Sequence, residues 1–570
     1  MTPRLLPALL VLAAACNHEP PLPGTERDRL VMVLDDPPRN LDPRFSTDAA
    51  SMRVSRLVFS SLVSLDNATL AVAPDLAERW APDPKDPASW LVHLRPDARW
   101  HDGTPVTSAD VVYTYRSVMD PALQSPFREP YQAHIAAVEA EGPLTVRFRL
   151  VEPYATFETD LVLGIVPEHV CAPAGGRFPP DGYVGSGPYR FAGRWGERRL
   201  DLEAFDGYFG GAPGTRWLVL RTIREEGSRL LAVLGGSADL MQNGVSPVLG
   251  GVVEHDPRLV ATHAPSISFT YVALNLRQPA LADRRVRQAL AWAIPREHIV
   301  ETHYGGAATL ATGMLAPMHW AYEKDVPTYG YDPAKARALL AEAGYGPGKQ
   351  PLALTIKIST HRFRRTVARA IAQAWREVGV DARVRSYEFA TFFADIRQGT
   401  FDAYLLDLPE PMEPDLYRWM LHGLSTPDKA PARSGSAYAL ADRRFLSPGA
   451  LDEEVAADPT CATWPWLATR DAARNWVSRA FGVEPPYAAA NRMAYANPAV
   501  DCRLDLGLRV LTRKERLPLY HEVQRLLAVD LPVIPLWHED VRIVARTRVR
   551  DFVPLPNLRL GGLVRAKVGP

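Results

Sequence analysis

The chain has 570 residues, of which 47% are hydrophobic, and its 65 basic residues balance its 65 acidic ones. That length and hydrophobic content are enough to bury the cores of two or three lobes. A formal net charge of zero gives no global field that would draw the chain to nucleic acid or anionic lipid, which argues against nucleic acid as a partner.

The N-terminus has the plan of a secretory signal peptide. The first 16 residues contain one early cation, Arg4, and an apolar run that ends at Cys16. The run is too short to span a bilayer. LAAAC resembles a lipobox, so residues 1–16 are predicted to be a lipoprotein-type signal with Cys16 as the acylated residue. An ordinary signal peptide with an incidental cysteine is the alternative. We expect a periplasmic or extracytoplasmic protein, attached to a bacterial membrane only by lipid.

Leu91 to Leu94 has the composition of a strand, and Asp102-Gly103 supplies a turn that tolerates a positive φ. Thr107 and Asp110 have capping-box spacing, so a helix is predicted to begin near Ser108. A strand followed by a tight turn and a helix fits many α/β proteins.

The three later cysteines are Cys171, Cys461 and Cys502. Outside the cytoplasm, Cys461 and Cys502 could form a disulfide and leave Cys171 free and buried. Three unpaired thiols are the alternative, because sequence alone gives no geometry for the bridge.

Helix signals recur in the second half of the chain. Asp332 is a suitable N-cap and Gly344 a suitable residue beyond the C-cap. Apolar residues recur at helical spacing from Arg364 to Val378, and the following VDARVRSYEF alternates like a strand.

A last helix is predicted near the C-terminus, because Thr512 and Glu515 have capping-box spacing. Pro518 lies too deep in that helix for undisturbed hydrogen bonding, so we expect it to kink the helix or delay its start. Repeated alternation of strands and helices in two blocks indicates an α/β protein with more than one sheet.

The order of HLRPDARWHDGTPVTSADVVY resembles the signature region of the family 5 extracytoplasmic solute-binding proteins of ABC transporters, which include oligopeptide-, dipeptide- and nickel-binding lipoproteins. Further similar segments follow in the family's order: LDPRF, GSGPY, YVALNL, YDPAKARALLAEAGY and RLPLYHEVQRLLAVDLPVIPLWHE. The resemblance implies an α/β, periplasmic binding protein-like fold with two lobes of mixed sheets around a ligand cleft, plus a smaller extra subdomain.

The same motifs map the domains. Lobe I is predicted to comprise residues 17–64, 184–265 and 526–570. The extra subdomain takes 65–183. Lobe II takes 266–525, with an insertion at about 421–490. The insertion is interpreted as a surface elaboration; a lid or a docking surface for the permease is the alternative.

The resemblance also implies a function. It predicts a monomeric receptor of an ABC importer that captures a peptide or similar oligomeric solute and delivers it to the membrane permease and its ATPase. No cofactor and no enzymatic activity are expected. An extracytoplasmic sensor or chaperone is an alternative. A secreted hydrolase, using Cys171 or a Ser–His pair, is a weaker one because HExxH, CxxC and GxSxG are missing. Within the family the solute remains open between peptide, nickel chelate, haem, sugar and opine.

Two segments resemble those that hold the ends of the ligand in peptide-binding members. FDAYLLDLPEPMEPDLYRWM resembles the segment that supplies an Asp for the ligand amine, and alignment on Glu413-Pro414 places that residue at Glu410, with Asp407 as the other candidate. THRFRRTVARAIAQAW resembles the segment that supplies an arginine for the ligand carboxylate, which matches Arg364 and Arg365.

Other interpretations of these positions remain open. Arg364 and Arg365 could be solvated cations on the first turn of a helix. Asn275 and Tyr189 could contact the ligand or be structural. His538-Glu539-Asp540 is interpreted as a strand end rather than as an acid–base group.

Overall fold

The structure is a computed structural model that describes residues 19–569 apart from 67–69, 152, 154, 244–252, 254, 409–410, 412, 423–460, 462–490 and 511. The described residues form sheets of seven, six and four strands, with two additional two-stranded pairs. Two mixed sheets and a smaller antiparallel one confirm the predicted fold class. The two pairs are β2 (Val63–Leu65) with β3 (Val72–Pro74), and β20 (Val549–Arg550) with β21 (Lys567–Val568).

The first sheet has a parallel centre and antiparallel margins. In spatial order its strands are β12 (Leu259–Ala264), β19 (Val541–Arg546), β11 (Leu240–Gln242), β1 (Arg29–Leu34), β10 (Trp217–Thr222), β9 (Arg199–Ala204) and β8 (Tyr189–Trp195). Along β1, Leu30 and Met32 enter one apolar core while Val31 and Val33 enter another. Because side chains alternate along a strand, this sheet buries both of its faces.

The second sheet is also mixed and buried on both faces. In spatial order its strands are β14 (Ala308–Leu310), β18 (Val533–Glu539), β13 (Phe269–Leu274), β17 (Ala403–Leu408), β15 (Leu352–Ser359) and β16 (Val380–Tyr387). Val272 and Leu274 pack with Trp375 on one face, whereas Tyr271 and Ala273 enter a separate core on the other. The strand predicted from VDARVRSYEF is β16.

Helices cover the sheets. In chain order they are α1 (Ala49–Val58), α2 (Ser108–Met119), α3 (Arg128–His134), α4 (Phe157–Asp160), α5 (Glu168–Cys171), α6 (Glu226–Leu234), α7 (Pro279–Ala282), α8 (Arg284–Trp292), α9 (Arg296–Tyr304), α10 (Pro333–Glu342), α11 (Arg362–Glu377), α12 (Phe389–Arg397), α13 (Leu416–Leu421), α14 (Pro498–Arg509) and α15 (Arg513–Asp530). A short 3₁₀ helix spans Gly561–Val564.

Most helix ends follow the local signals. Asp332 caps α10 by accepting a 2.9 Å bond from the Lys335 amide, and Gly344 has a φ of 91° beyond its end. Helix α15 begins directly after Thr512 and continues through Pro518. The expectation that Pro518 delays the start was therefore wrong. A proline removes one backbone donor, and packing of Tyr520 and Val523 in the core holds the helix together beyond it.

The third sheet belongs to the smaller unit. It is the antiparallel array β4 (Ala77–Asp83), β5 (Asp86–Leu94), β7 (Thr145–Leu150) and β6 (Ile135–Ala140). The predicted capping box starts α2, where Asp110 accepts 2.9 Å and 3.2 Å bonds from the amide and hydroxyl of Thr107. The other oxygen of Asp110 accepts a 3.0 Å bond from the Glu168 amide. One buried carboxylate thus joins the starts of two helices.

The GSGPY segment fastens this unit to the first sheet. His101 donates its amide to the Gly185 carbonyl at 2.8 Å, and Gly187 donates its amide to the Val58 carbonyl at 2.8 Å. A Cβ on Gly185 would lie 1.9 Å from the Val58 oxygen. Glycine is required at this point because two backbones approach too closely for a side chain.

The described chain passes between the two large sheets twice. The first crossing is residues 265–268, between β12 and β13, and the second is Asp540, between β18 and β19. His538 of β18, two residues before the second crossing, donates from Nδ1 to the Ser268 carbonyl of the first crossing at 3.0 Å, since a carbonyl only accepts. The first crossing is therefore bonded to the strand that leads into the second.

The second crossing does not coincide with the predicted limit between 525 and 526. Strand β18 pairs with β13 and β14 of the second sheet, and α15 packs its Tyr520 and Val523 in the same half. The helix and the strand belong together because β18 extends the sheet that α15 covers.

A disulfide joins Cys461 to Cys502 of α14, with the two Cα atoms 6.0 Å apart and a sequence separation of 41. Cys171 is a free, buried cysteine. Most of the predicted insertion at 421–490 lies outside the described residues, but the bridge fixes one point of it to the second lobe's helix α14.

We predict that unfolding the secreted form, without Cys16, exposes one thiol before reduction and three after reduction, as counted with a thiol reagent. Cys502→Ser should lower the free energy of unfolding by about 2–4 kcal/mol, because a bridge across a long loop restricts the unfolded chain. Chemical denaturation measures this loss. Equal stabilities of variant and wild type without reductant would contradict the prediction; with reductant the two should converge.

His538 predicts a loss of stability in acid. Burial lowers the pKa of His538 to about 4 from its ordinary 6.5, so only the unfolded chain binds this proton between those values. Stability therefore falls as the pH drops through that window, and is unaffected above it. Between about pH 7 and about pH 4.5, wild type should lose about 2 kcal/mol more than His538→Asn. Denaturant titrations at both pH values measure the difference, and equal losses would refute it.

Candidate functional site

The topology brings the carboxyl ends of strands from both sheets to one place. In the second sheet β15, β16, β17 and β18 run in the same direction, and in the first sheet so do β1, β10 and β11. Both crossings leave and enter at these ends. The two carboxyl edges therefore face each other across the crossings, which is where open α/β sheets bind ligands.

Arg364 and Asp407 meet at the edge of the second sheet. Asp407 is the penultimate residue of β17, opposite Thr270 of β13, and Arg364 is on the first turn of α11. The Arg364 guanidinium forms an ion pair with the Asp407 carboxylate, and the two side chains are 30% and 27% exposed. Sequence analysis had assigned these residues to opposite ends of a ligand, whereas the structure joins them to each other.

Glu539, at the end of β18, extends this group. Its Oε1 accepts a 3.2 Å bond from the Thr270 hydroxyl and a 2.9 Å bond from the Tyr304 hydroxyl. Burial raises the pKa of Glu539, and the negative charge of Asp407 raises it further. The charge of Arg364 acts in the opposite direction. One guanidinium and two carboxylates are thus electrostatically coupled at this edge.

The first lobe contributes acidic groups on the opposite side. Asp35 directly follows β1, and Glu226 is the first residue of α6. Desolvation lowers the pKa of His361, the N-cap residue of α11, and so does Arg364. Asp407, Glu226 and Asp35 raise the same pKa. Charges from both lobes therefore act on one imidazole at this edge.

The remaining predicted residues lie elsewhere or outside the described chain. Asn275 is 2% exposed, and its amide group donates to the carbonyls of Gly399 at 3.0 Å and Phe401 at 2.7 Å. Tyr189 is fully buried in the first lobe's core. Their burial and contacts agree with the alternative in which Asn275 and Tyr189 are structural residues and do not contact the ligand. Glu410, like Cys16, is outside the described residues.

Arg365 is partly buried, one residue beyond Arg364 on the first turn of α11. Its backbone amide donates to the His361 carbonyl at 3.1 Å. A role of Arg365 in binding the solute carboxylate stays a prediction.

Three site residues were missed by sequence analysis: Thr270, Tyr304 and Glu539. Their elements were identified, but the strand end at His538-Glu539-Asp540 was interpreted as structural. That interpretation fits His538, which is 1% exposed and bonded to the first crossing. An acidic residue at the last position of a strand that ends beside a domain crossing was the available signal for Glu539.

Glu413, the residue used to locate Glu410, belongs to a separate charged group. Arg516 of α15 bonds to Glu413 at 3.5 Å and to Asp415 at 3.2 Å. Burial raises the pKa of Glu413 to about 7, with Arg516 acting against the rise. These residues anchor the start of α13 to α15.

The free cysteine and the acidic and histidine side chains of the described residues are candidate reactive groups. Cys171 is buried, and burial raises the pKa of its thiol to about 12, so it is not a thiolate at neutral pH. Across the described ranges no cluster of three or more His, Cys, Asp or Glu side chains could hold a metal ion. None of the described helices combines the length and hydropathy of a membrane span.

Comparison with known proteins assigns the chain to a family. Residues 71–426 match the family described as bacterial extracellular solute-binding proteins, family 5 Middle. The chain is 26% identical over 405 residues to the dipeptide-binding protein of Escherichia coli K12, covering 66% of this chain and 75% of that protein. It is 25% identical over 527 residues to the glutathione-binding protein GsiB of Pectobacterium atrosepticum, covering 91% and 90%.

A solved structure shows the same fold. The ABC transporter substrate binding protein CtaP from Listeria monocytogenes superposes with a TM-score of 0.75 at 22% identity, covering 95% of this chain and 99% of that one. The match of the family over more than half of the sequence, together with the facing strand edges, leads to one conclusion: the chain belongs to the bacterial extracellular solute-binding proteins of family 5.

Proposed function

We propose that this protein is the receptor of an ABC importer that binds a peptide or similar oligomeric solute between its lobes and delivers it to the membrane permease and its ATPase. The observation that carries this proposal is the placement of charged side chains, Arg364, Asp407 and Glu539, where the carboxyl edges of two sheets face each other. Relatives named for binding a dipeptide and glutathione support a peptide-like solute.

The geometry explains how such a receptor works without breaking a bond. Charge-assisted hydrogen bonds in a cleft between lobes orient a solute, and they strengthen as the lobes exclude water. Electrostatic interactions between the lobes, such as those of the Asp35 and Glu226 charges with His361, strengthen as the lobes approach. A permease that favours the closed form would thereby distinguish loaded from empty receptor.

The family and the disulfide both support a location outside the cytoplasm. Family 5 consists of extracellular solute-binding proteins, and a disulfide such as Cys461–Cys502 is typical of an oxidising compartment. The lipobox-like sequence before Cys16 supports attachment of the secreted protein to a bacterial membrane by lipid. We propose that the attached protein is a monomer that acts beside its permease.

The proposed function predicts a bound solute. Native mass spectrometry of the protein, purified without denaturation from a bacterial periplasm, should show discrete added masses that correspond to peptides. Unfolding the protein in acid should release them for sequencing. A bare protein mass that also stays unchanged after addition of mixed peptides would contradict the proposal. An added mass that corresponds to a metal chelate or a sugar would show that the solute is of that class and is not a peptide.

Glu410 gives a prediction about the amine end of the solute. Glu410→Ala should weaken binding of a peptide with a free amino terminus about tenfold or more, because it removes a charge-assisted hydrogen bond. An N-acetylated version of the same peptide should bind wild type and variant alike. Isothermal titration with both peptides measures this, and an unchanged affinity for the free amine would remove Glu410 from the site.

Cys16 gives a prediction about attachment. Cys16→Ser should move the protein from the detergent-rich phase to the aqueous phase in a Triton X-114 partition, because a lipid chain is the anchor that the sequence provides. Unmodified wild-type protein in the aqueous phase would show that the signal is an ordinary secretory one.

A further inference from the structure

We propose that Asp407 is an internal carboxylate that occupies Arg364, so that the solute end bound here carries no carboxylate, as in a peptide amide. This inference rests on the proposed function and specifies its solute. Resemblance alone would make Arg364 the group that binds a solute carboxylate. The structure instead gives that guanidinium a partner from the protein itself.

Regular secondary structure holds both members of the pair. Asp407 lies in β17, where its register opposite Thr270 is set by the antiparallel pairing with β13. Arg364 lies in α11, whose residues Val367 and Ile371, three and seven positions later, are buried in the core. The Arg364 side chain therefore projects from the core-facing side of the helix. The pair is fixed by a strand and a helix, so its partners stay at a high effective concentration.

Asp407 opposes a second carboxylate from the solute. Glu539 lies beside the pair, since its Oε1 accepts a 3.2 Å bond from the hydroxyl of Thr270, the register partner of Asp407. Arg542 is already bonded to Tyr304: its guanidinium donates to the Tyr304 carbonyl at 2.8 Å and lies over the Tyr304 ring at 5.7 Å. A solute carboxylate would therefore have to displace Asp407 from Arg364. Like charges placed together at an interface select against the wrong partner.

The pair is nevertheless accessible to a solute. Arg364 and Asp407 are 30% and 27% exposed, so atoms of both can contact a molecule in the cleft. The planar guanidinium has five donors, of which the ion pair leaves some to bond carbonyl oxygens. The outer surface of Asp407 can accept from amide nitrogens. An uncharged amide presents both kinds of group, which is why a peptide amide fits this arrangement.

Two matched mixtures of short peptides test the inference, one with free carboxyl termini and one with the same sequences as C-terminal amides. Native mass spectrometry in competition measures the ratio of acid to amide bound. Wild type should bind the amides at least about threefold more tightly than the free acids, because Asp407 opposes a solute carboxylate. Asp407→Asn should shift the ratio toward free acids by about tenfold or more, because it frees Arg364 for a charge-assisted bond. Adding Arg364→Gln to Asp407→Asn should cancel that shift.

Arg369→Gln is the matched control, since it removes an exposed guanidinium from the same helix α11 and should leave the wild-type ratio unchanged. A wild type that prefers free acids about tenfold and loses that preference in Arg364→Gln or Arg365→Gln would overturn the inference but keep the proposed function. An unchanged ratio in Asp407→Asn would also overturn it. Absence of any peptide binding would overturn the proposed function and the inference together. Should Asp407→Asn fail to fold by circular dichroism, the ratios of wild type and Arg364→Gln decide.

Discussion

Two crossings of the chain, at 265–268 and at Asp540, determine what the rest of this molecule can do. Because each crossing leaves and enters at the carboxyl ends of parallel strands, the two sheets present the same kind of edge to each other. His538 of β18 bonds to Ser268 of the first crossing, so the end of this strand and that crossing are held together. This connectivity brings the side chains at the strand ends of the two sheets to one place.

The preference of the site for a solute depends more on how its charges are paired than on how many charged residues it contains. Arg364, Asp407 and Glu539 come from three separate elements; Arg364 and Asp407 form an ion pair, and the charges of both act on Glu539. A guanidinium with a carboxylate partner has a different preference from a free one, because a solute must replace that partner to gain an ion pair. A family of one fold can thereby serve different solutes through exchanges at single strand positions.

The parts outside the cleft hold these edges in place. Asp110 joins two helix starts in the smaller unit, and Gly185 allows that unit to approach the first lobe at backbone contact. In the second lobe, α15 covers the sheet whose strand β18 ends at Glu539. Rigid scaffolds of this kind are what allow side chains at strand ends to keep a binding geometry.

The sequence by itself determined the family, the alternating α/β architecture, and the local starts of helices such as those capped by Thr107 and Asp332, because caps and periodicity are short-range. Only the tertiary structure decided that Arg364 pairs with Asp407 and that Glu539 joins them. It also decided that Asn275 bonds backbone carbonyls instead of lining the cleft. Sequence motifs state which residues a strand or helix carries, but strand order and register decide which of them meet, since those pairings join positions far apart in the chain.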